Sequence, residues 1–380
     1  MMKTTRISRI EWACLEGTRP RLAGSNARLN AHGDRIRVPL ARLTTEDGRS
    51  GFGACHADQT QAQSLLGTGF DEAWLPESGT AAALRAFDYP LWDLAGQRAG
   101  KPVYVLAAEL NGLPFPEIVR APCYDTSLYF DELHLETDSE AATLMVAEAQ
   151  EGWERGHRAF KIKVGRGARH MEVEAGTRRD IAIVRAVREA LGTEVILLLD
   201  ANNGYNLNLT KRVLHETADC NIFWMEEPFH EDDVLLRDLK AWMTERAIST
   251  LVAEGEGWAC PALLDWAQAG LVDVVQYDIF GHGFTRWLHL GKQLDGWGVR
   301  SAPHHYGRHY GNYAACHLAA AIEGFAYVEW DECDTPGLDG SAYTIQEGRV
   351  RVPAKPGFGL SLDEEAFRAA VRCNGFELTS

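Results

Sequence analysis

The chain has 380 residues, of which 46% are apolar and 24% charged, with a formal net charge of −16. That length allows two domains or one large barrel with additions, and no apolar run is long enough to span a bilayer. The acidic balance argues against nucleic acid as a partner, because its binders concentrate positive charge to displace counterions.

In chain order, residues 7–15, residues 35–45 and a Gly51-Phe52-Gly53 turn predict a small antiparallel sheet. A helix over 81–99 follows, with Leu84, Phe87, Leu91 and Leu94 on one stripe. From about residue 120 the pattern alternates. Strands are expected at 120–124, 159–164, 195–200, 222–226, 250–256, 274–278 and 299–304, separated by helices. The helix carrying Ile181, Val184, Val187 and Leu191 stops at Gly192. Such alternation signals a parallel sheet, and seven or eight units suggest closure into a barrel. Residues 349–362, with Pro356-Gly357-Phe358-Gly359, read as a strand and turn returning to the first domain. The expected organisation is a capping domain over 1–118, a barrel over 119–345, and a segment over 346–380 that completes the cap.

Residues 1–6 lack the apolar core of a signal peptide. The eight cysteines are scattered with no C-x-x-C pair, which fits reduced thiols in a chain of this size. A cytoplasmic location is expected.

The chemistry lies where the apolar runs end. Catalytic residues of barrels sit at the C-terminal ends of strands, and residues two apart on a strand share a face. Lys161 and Lys163 therefore face one way, as do Leu198 and Asp200, Trp224 and Glu226, Gln276 and Asp278, and Ala302 and His304. His305 and Glu227 have the opposite parity. Asp200, Glu226 and Glu256 offer three hard oxygen ligands from consecutive strands, a set that suits Mg²⁺ better than Zn²⁺. Glu254 shares parity with Glu256 and is expected to point inward one layer deeper, as a partner for a lysine. Lys163 and His304 come from distant strands and could flank the α-carbon of a metal-bound carboxylate. A lysine base needs a lowered pKa, which Lys161 and the metal would favour. Asp278 could orient and charge the His304 imidazole.

These strings, with Glu226-Glu227-Pro228, Gly255-Glu256, Leu91-Trp92-Asp93-Leu94-Ala95-Gly96 and Pro356-Gly357-Phe358-Gly359, resemble the enolase superfamily in its mandelate racemase-like branch. The resemblance implies an α/β fold: a modified TIM (β/α)-barrel with an α+β N-terminal capping domain. It implies that Asp200, Glu226 and Glu256 hold Mg²⁺, that Lys163 and the His304–Asp278 pair are the acid/base groups, and that Lys161 polarises the substrate carboxylate. Glu329 resembles the last-strand glutamate that hydrogen-bonds that carboxylate. Cap loops choose the substrate in this superfamily, so Arg19 and Arg21, from a loop that also holds Asn26 and Arg28, are candidate substrate contacts, as is Asn202. The expected activity is a hydro-lyase acting on a sugar acid, aldonate or aldarate, to give a 2-keto-3-deoxy acid. A racemase or epimerase using the same bases is the alternative, and a non-catalytic metal-binding barrel the third reading. The expected partners are a small carboxylate substrate and further copies of the chain, without nucleic acid or membrane.

Overall fold

The computed structural model describes residues 5–115 and 117–380. Its centre is a sheet of parallel strands in which the first, Arg120–Leu128, is followed in space by Ala159–Lys163, Ile196–Asp200, Ile222–Glu226, Leu251–Glu254, Val274–Val275 and Arg300–Ser301. The last parallel strand, Val328–Trp330, pairs with the first through Val328 and Cys123. A parallel bridge between Ser301 and Phe325 links the seventh strand to the approach of the last, so the sheet curls back on itself. Helices such as Asp138–Glu154, Val173–Leu191 and Asp233–Glu245 connect the strands and bury their apolar stripes on its outer face.

Inside the curl, Tyr124, Ala159, Leu198, Trp224, Ala253, Val274, Ala302 and Ala326 form a separate buried cluster, one side chain from each strand or its approach. That plug matters for function. Two residues further along, the same face reaches the open end of the curl, and polar side chains begin there on all but the fifth and eighth strands: Thr126, Lys161, Asp200, Glu226, Gln276 and His304.

The N-terminal sheet is antiparallel, ordered Phe376–Thr379, Ile7–Ala23, Gly33–Thr45, Ser50–Ala54. The return of the C-terminus differs in detail from expectation. Arg349–Arg351 pairs with Arg120–Pro122 of the central sheet. Pro356–Phe358 instead meets the helix Asp88–Ala99, where Asp93 accepts the Phe358 N–H at 2.8 Å, and Phe376–Thr379 supplies the edge of the N-terminal sheet. All eight cysteines are free thiols. No helix among the described residues is long and apolar enough to cross a membrane.

Candidate active site

Strand parity delivers most of the site. Lys161, Lys163, Asp200, Glu226 and Gln276 follow the plug residues on the inward face, and all five are buried. His304 follows Ala302 in the same way. The carboxylates of Asp200, Glu226 and Glu256 place one oxygen each within 4.8 Å of the others.

The fifth strand breaks the rule. Ala253 is the plug residue there, so Glu254 faces outward, and the inward position after it is Gly255, which has no side chain. Gly255 has φ +118°, a conformation reserved for glycine, and this turn swings Glu256 back toward Asp200 and Glu226. The expected lysine partner of Glu254 is absent among the described residues. Both its oxygens are buried without a hydrogen bond, and burial, reinforced by Glu227 and Glu231, holds its carboxyl far above the usual range.

The two lysines are tied to the acids. Lys161 Nζ donates to Glu226 Oε1 at 2.9 Å and Glu329 Oε1 at 3.1 Å, and lies 3.5 Å from Asp200 Oδ2. Lys163 Nζ bonds Asp200 Oδ2. Burial alone would lower both lysine pKa values. The neighbouring carboxylates outweigh it, so Lys163 sits above its ordinary value rather than below, chiefly through Asp200. Asp200 is correspondingly drawn down to about 2 by the two lysines, against its own burial. Glu226 goes the other way, pushed up to about 8 by burial and by the charge of Asp200.

His304 and Asp278 form the expected dyad: Nδ1 donates to Oδ1 at 2.6 Å. The other ring nitrogen lies 3.5 Å from Glu256 Oε2 and 3.7 Å from Glu329 Oε2. Burial disfavours the imidazolium, but Glu256, Glu329 and Asp278 overcome it and raise the pKa to about 10. His304 therefore carries a proton near neutrality. His305 points away, as its parity predicts, with Nε2 on Asn312.

Glu329 is engaged within the protein. Its Oε1 accepts from Thr126 Oγ1 at 2.8 Å and from Lys161, and its Oε2 accepts the backbone N–H groups of His305 and Tyr306 at 2.7 and 2.9 Å. Its carboxyl is held well below the usual range, against burial, by Lys161 and the histidines. Both its oxygens are thereby tied to Lys161, Thr126 and the loop after His304. Thr126 was not anticipated from the sequence, although it stands two residues beyond the plug residue Tyr124.

The remaining candidates divide. Asn202 donates its backbone N–H to Asp200 Oδ1 and its side-chain amide to Glu227, leaving its own Oδ1 buried and unpartnered beside the acids. Glu227 also accepts from Asn203 at 3.0 Å and from Arg28 at 3.2 Å, and Arg28 lies 3.5 Å from Glu256, so the cap loop rests directly on the triad. Arg19 is spent on Asp331, with bonds of 3.0 and 2.9 Å. Arg21 is not brought to the site: its guanidinium bonds Glu148 and Glu151 at 3.2 Å and the Ser127 carbonyl at 2.9 Å.

The residues present fit a divalent cation. The donor set is all carboxylate oxygen, and Glu256 Oε2 is shut from solvent and accepts no hydrogen bond. A cavity of about 460 Å³ is lined by residues of the first two N-terminal strands with His32, His56, Tyr306 and Arg308, and one of about 550 Å³ lies beside Asp278 and Trp258.

Comparison with known proteins agrees with this geometry. Residues 144–366 match the Enolase C-terminal domain-like family. D-galactarolactone cycloisomerase of Agrobacterium fabrum is 28% identical over 374 residues, covering 88% of this chain and 91% of that protein. A galacturonate dehydratase from a Geobacillus species, solved with D-galacturonate and 5-keto-4-deoxy-D-galacturonate, is 45% identical with a TM-score of 0.94, over 99% of this chain and 100% of the other. A glutamate-to-alanine mutant of galacturonate dehydratase from a Geobacillus species, solved with Mg, is 45% identical with a TM-score of 0.96, over 100% and 98% of the two chains.

Proposed function

The chain belongs to the Enolase C-terminal domain-like family, and from that premise we propose that it is a Mg²⁺-dependent dehydratase of a polyhydroxylated sugar acid, with a galacturonate-like uronate as the first substrate to test. The observation that carries this reading is the pairing of a three-carboxylate cluster with two proton-bearing groups, Lys163 and the His304–Asp278 dyad, at one end of the strand curl. The 45% identity to a structure holding D-galacturonate and its 4-deoxy-5-keto product supports the substrate class, and widens it beyond aldonates and aldarates.

Asp200, Glu226 and Glu256 would hold Mg²⁺, which stabilises the negative charge that builds on a substrate carboxylate when its α-proton leaves. Lys161 adds a fixed positive charge beside the same carboxylates. Lys163 would take the α-proton once a cation on Asp200, Glu226 and Glu256 offsets the carboxylate charge that keeps it protonated, and His304, which carries a proton, is the acid for the leaving hydroxyl. The C–H electron pair moves into an enediolate, the β-carbon–oxygen bond breaks, and the hydroxyl leaves as water with a proton from His304. The resulting enol tautomerises to the keto-deoxy acid. The carboxylates that raise Lys163 are the ones that would hold the cation, so the basicity of Lys163 and metal binding are coupled. A cytoplasmic, homo-oligomeric protein is part of this proposal, and the scattered free thiols fit a reducing compartment.

The test is a screen of uronates, aldonates and aldarates with Mg²⁺ in deuterated water, read by mass. Loss of one water with deuterium uptake is the expected result. Deuterium uptake without water loss would move the assignment to racemase or epimerase, and no uptake from any acid would refute both.

A further inference from the structure

Three aromatic rings from separate parts of the chain meet beside Lys163. Lys163 Nζ lies 5.1 Å from the ring centroid of Tyr129, just beyond the first barrel strand. Tyr129 stacks on Tyr306, from the loop after His304, with centroids 4.8 Å apart and planes 29° apart. His32, from the cap loop, meets both edge-on, at 4.9 Å from Tyr129 and 5.4 Å from Tyr306.

His32 Nε2 is closed off from solvent without a hydrogen-bond partner, and the buried Tyr306 hydroxyl faces that of Tyr129. A buried polar atom without a partner in the chain is one a ligand can satisfy. His32 and Tyr306 line the cavity of about 460 Å³, a size within the usual range of roughly 300–1,000 Å³ for small-molecule sites. Tyr306 is braced from behind. Arg19 lies over Tyr306 at 4.4 Å and grips Asp331 through two nitrogens, while Asp331 accepts the Gly307 N–H at 2.9 Å. Burial, then the charges of Lys163 and Arg19, hold His32 down at about 4, so its imidazole is neutral. Burial holds the Tyr306 hydroxyl above its ordinary pKa, so it keeps its proton to donate.

Building on the dehydratase reading above, we infer that His32 and Tyr306 are specificity-determining residues that hydrogen-bond substrate hydroxyls on the carbons beyond the two that react. The ligand class is a sugar acid of at least four carbons. Its carboxylate lies at the acid cluster, its α-carbon near Lys163, and its hydroxylated tail runs along the His32–Tyr306 wall. Arg19 is then a positioning residue, which holds Tyr306 in place without touching the substrate itself.

The experiment compares kcat/KM for the best substrate of the deuterium screen, starting with D-galacturonate, with that for its analogues lacking the hydroxyl on the γ- or δ-carbon. Wild type, Tyr306→Phe, His32→Ala and His32→Gln are each measured, with thermal melts to verify folding. Tyr306→Phe and His32→Ala should lose about 10- to 100-fold on the full substrate. Each should lose less than about threefold on the analogue lacking the hydroxyl it reads, and His32→Gln should recover part of the loss by restoring a polar partner. Equal losses on every substrate, or none on any, would overturn the pairing while leaving dehydration by the wild type standing. Absence of α-proton exchange from any sugar acid in the wild type would instead sink the dehydratase reading, and this pairing with it.

Discussion

Gly255 decides whether the third carboxylate reaches the cation, so Gly255→Ala is the sharpest single test of the site. The residue sits at φ +118°, where an alanine is strained by about 1–3 kcal/mol. A Cβ there would also meet Leu263 Cδ2 at 3.0 Å, Tyr277 Cδ1 at 3.2 Å and the Gln276 nitrogen at 3.3 Å. Such crowding adds a cost of the same order when the neighbours cannot yield. The chain escapes both by rotating φ to negative values, which carries Glu256 away from Asp200 and Glu226. If about 2–4 kcal/mol favours the relaxed form, Mg²⁺ affinity falls by about 30- to 700-fold, because 1.4 kcal/mol is a factor of ten. Isothermal titration with Mg²⁺ measures this directly, and thermal melts with and without Mg²⁺ measure it through linkage. Gly270→Ala is the control: that glycine also has positive φ, at +77°, yet its Cβ meets nothing within 4 Å. It should cost stability without changing Mg²⁺ affinity. Wild-type affinity in Gly255→Ala would refute the claim that this turn delivers the third ligand.

The other predictions concern protons. Asp278→Asn removes a charge-assisted bond worth about 1.5–3 kcal/mol, so kcat should fall about 10- to 150-fold. The His304 pKa should move down from about 10, and an unshifted pH–rate profile with kcat intact would show that the dyad does not operate. Lys163→Ala and His304→Asn should each reduce turnover by at least about 10²-fold. Mg²⁺ affinity in Lys163→Ala should hold or rise, since a cation leaves Asp200, and full activity in either variant would remove that residue from the mechanism. Glu254→Gln should raise the melting temperature at pH 7–8 but not at pH 4. The folded carboxyl stays protonated far above its ordinary value, whereas the unfolded chain ionises it near about 4.3; its cost to stability therefore begins as pH rises through that value and grows from there. Parallel melts across this range check the sign.

How far the sequence led can be traced residue by residue. Alternation along a strand is local geometry, and it placed Lys161, Lys163, Asp200, Glu226, Gln276 and His304 on one face and His305 on the other. It does not hold at Glu254, which faces outward because its neighbour Ala253 is the inward residue. Small Ala253 is the plug of the fifth strand, and a glycine turn, not strand parity, carries Glu256 inward. The charge states of Lys163 and Glu329 were out of reach for another reason. Each depends on carboxylates and cations summed over several strands, so distances, not residue types, decide whether burial or pairing wins. Arg21 shows the same limit at longer range, since its partner Glu148 lies 127 positions away and nothing local marks the pair.

The cap loop's cations were expected to meet the substrate directly, but Arg19 and Arg28 are already committed to carboxylates at the barrel mouth, Asp331 for one and Glu227 with Glu256 for the other. In an acidic protein whose active site gathers carboxylates, a loop arginine finds a protein anion before it finds a ligand. The groups left to read an uncharged hydroxyl are the neutral ones packed behind those ion pairs. For that reason the specificity of this site rests on His32 and Tyr306 rather than on the arginines that the sequence brings forward.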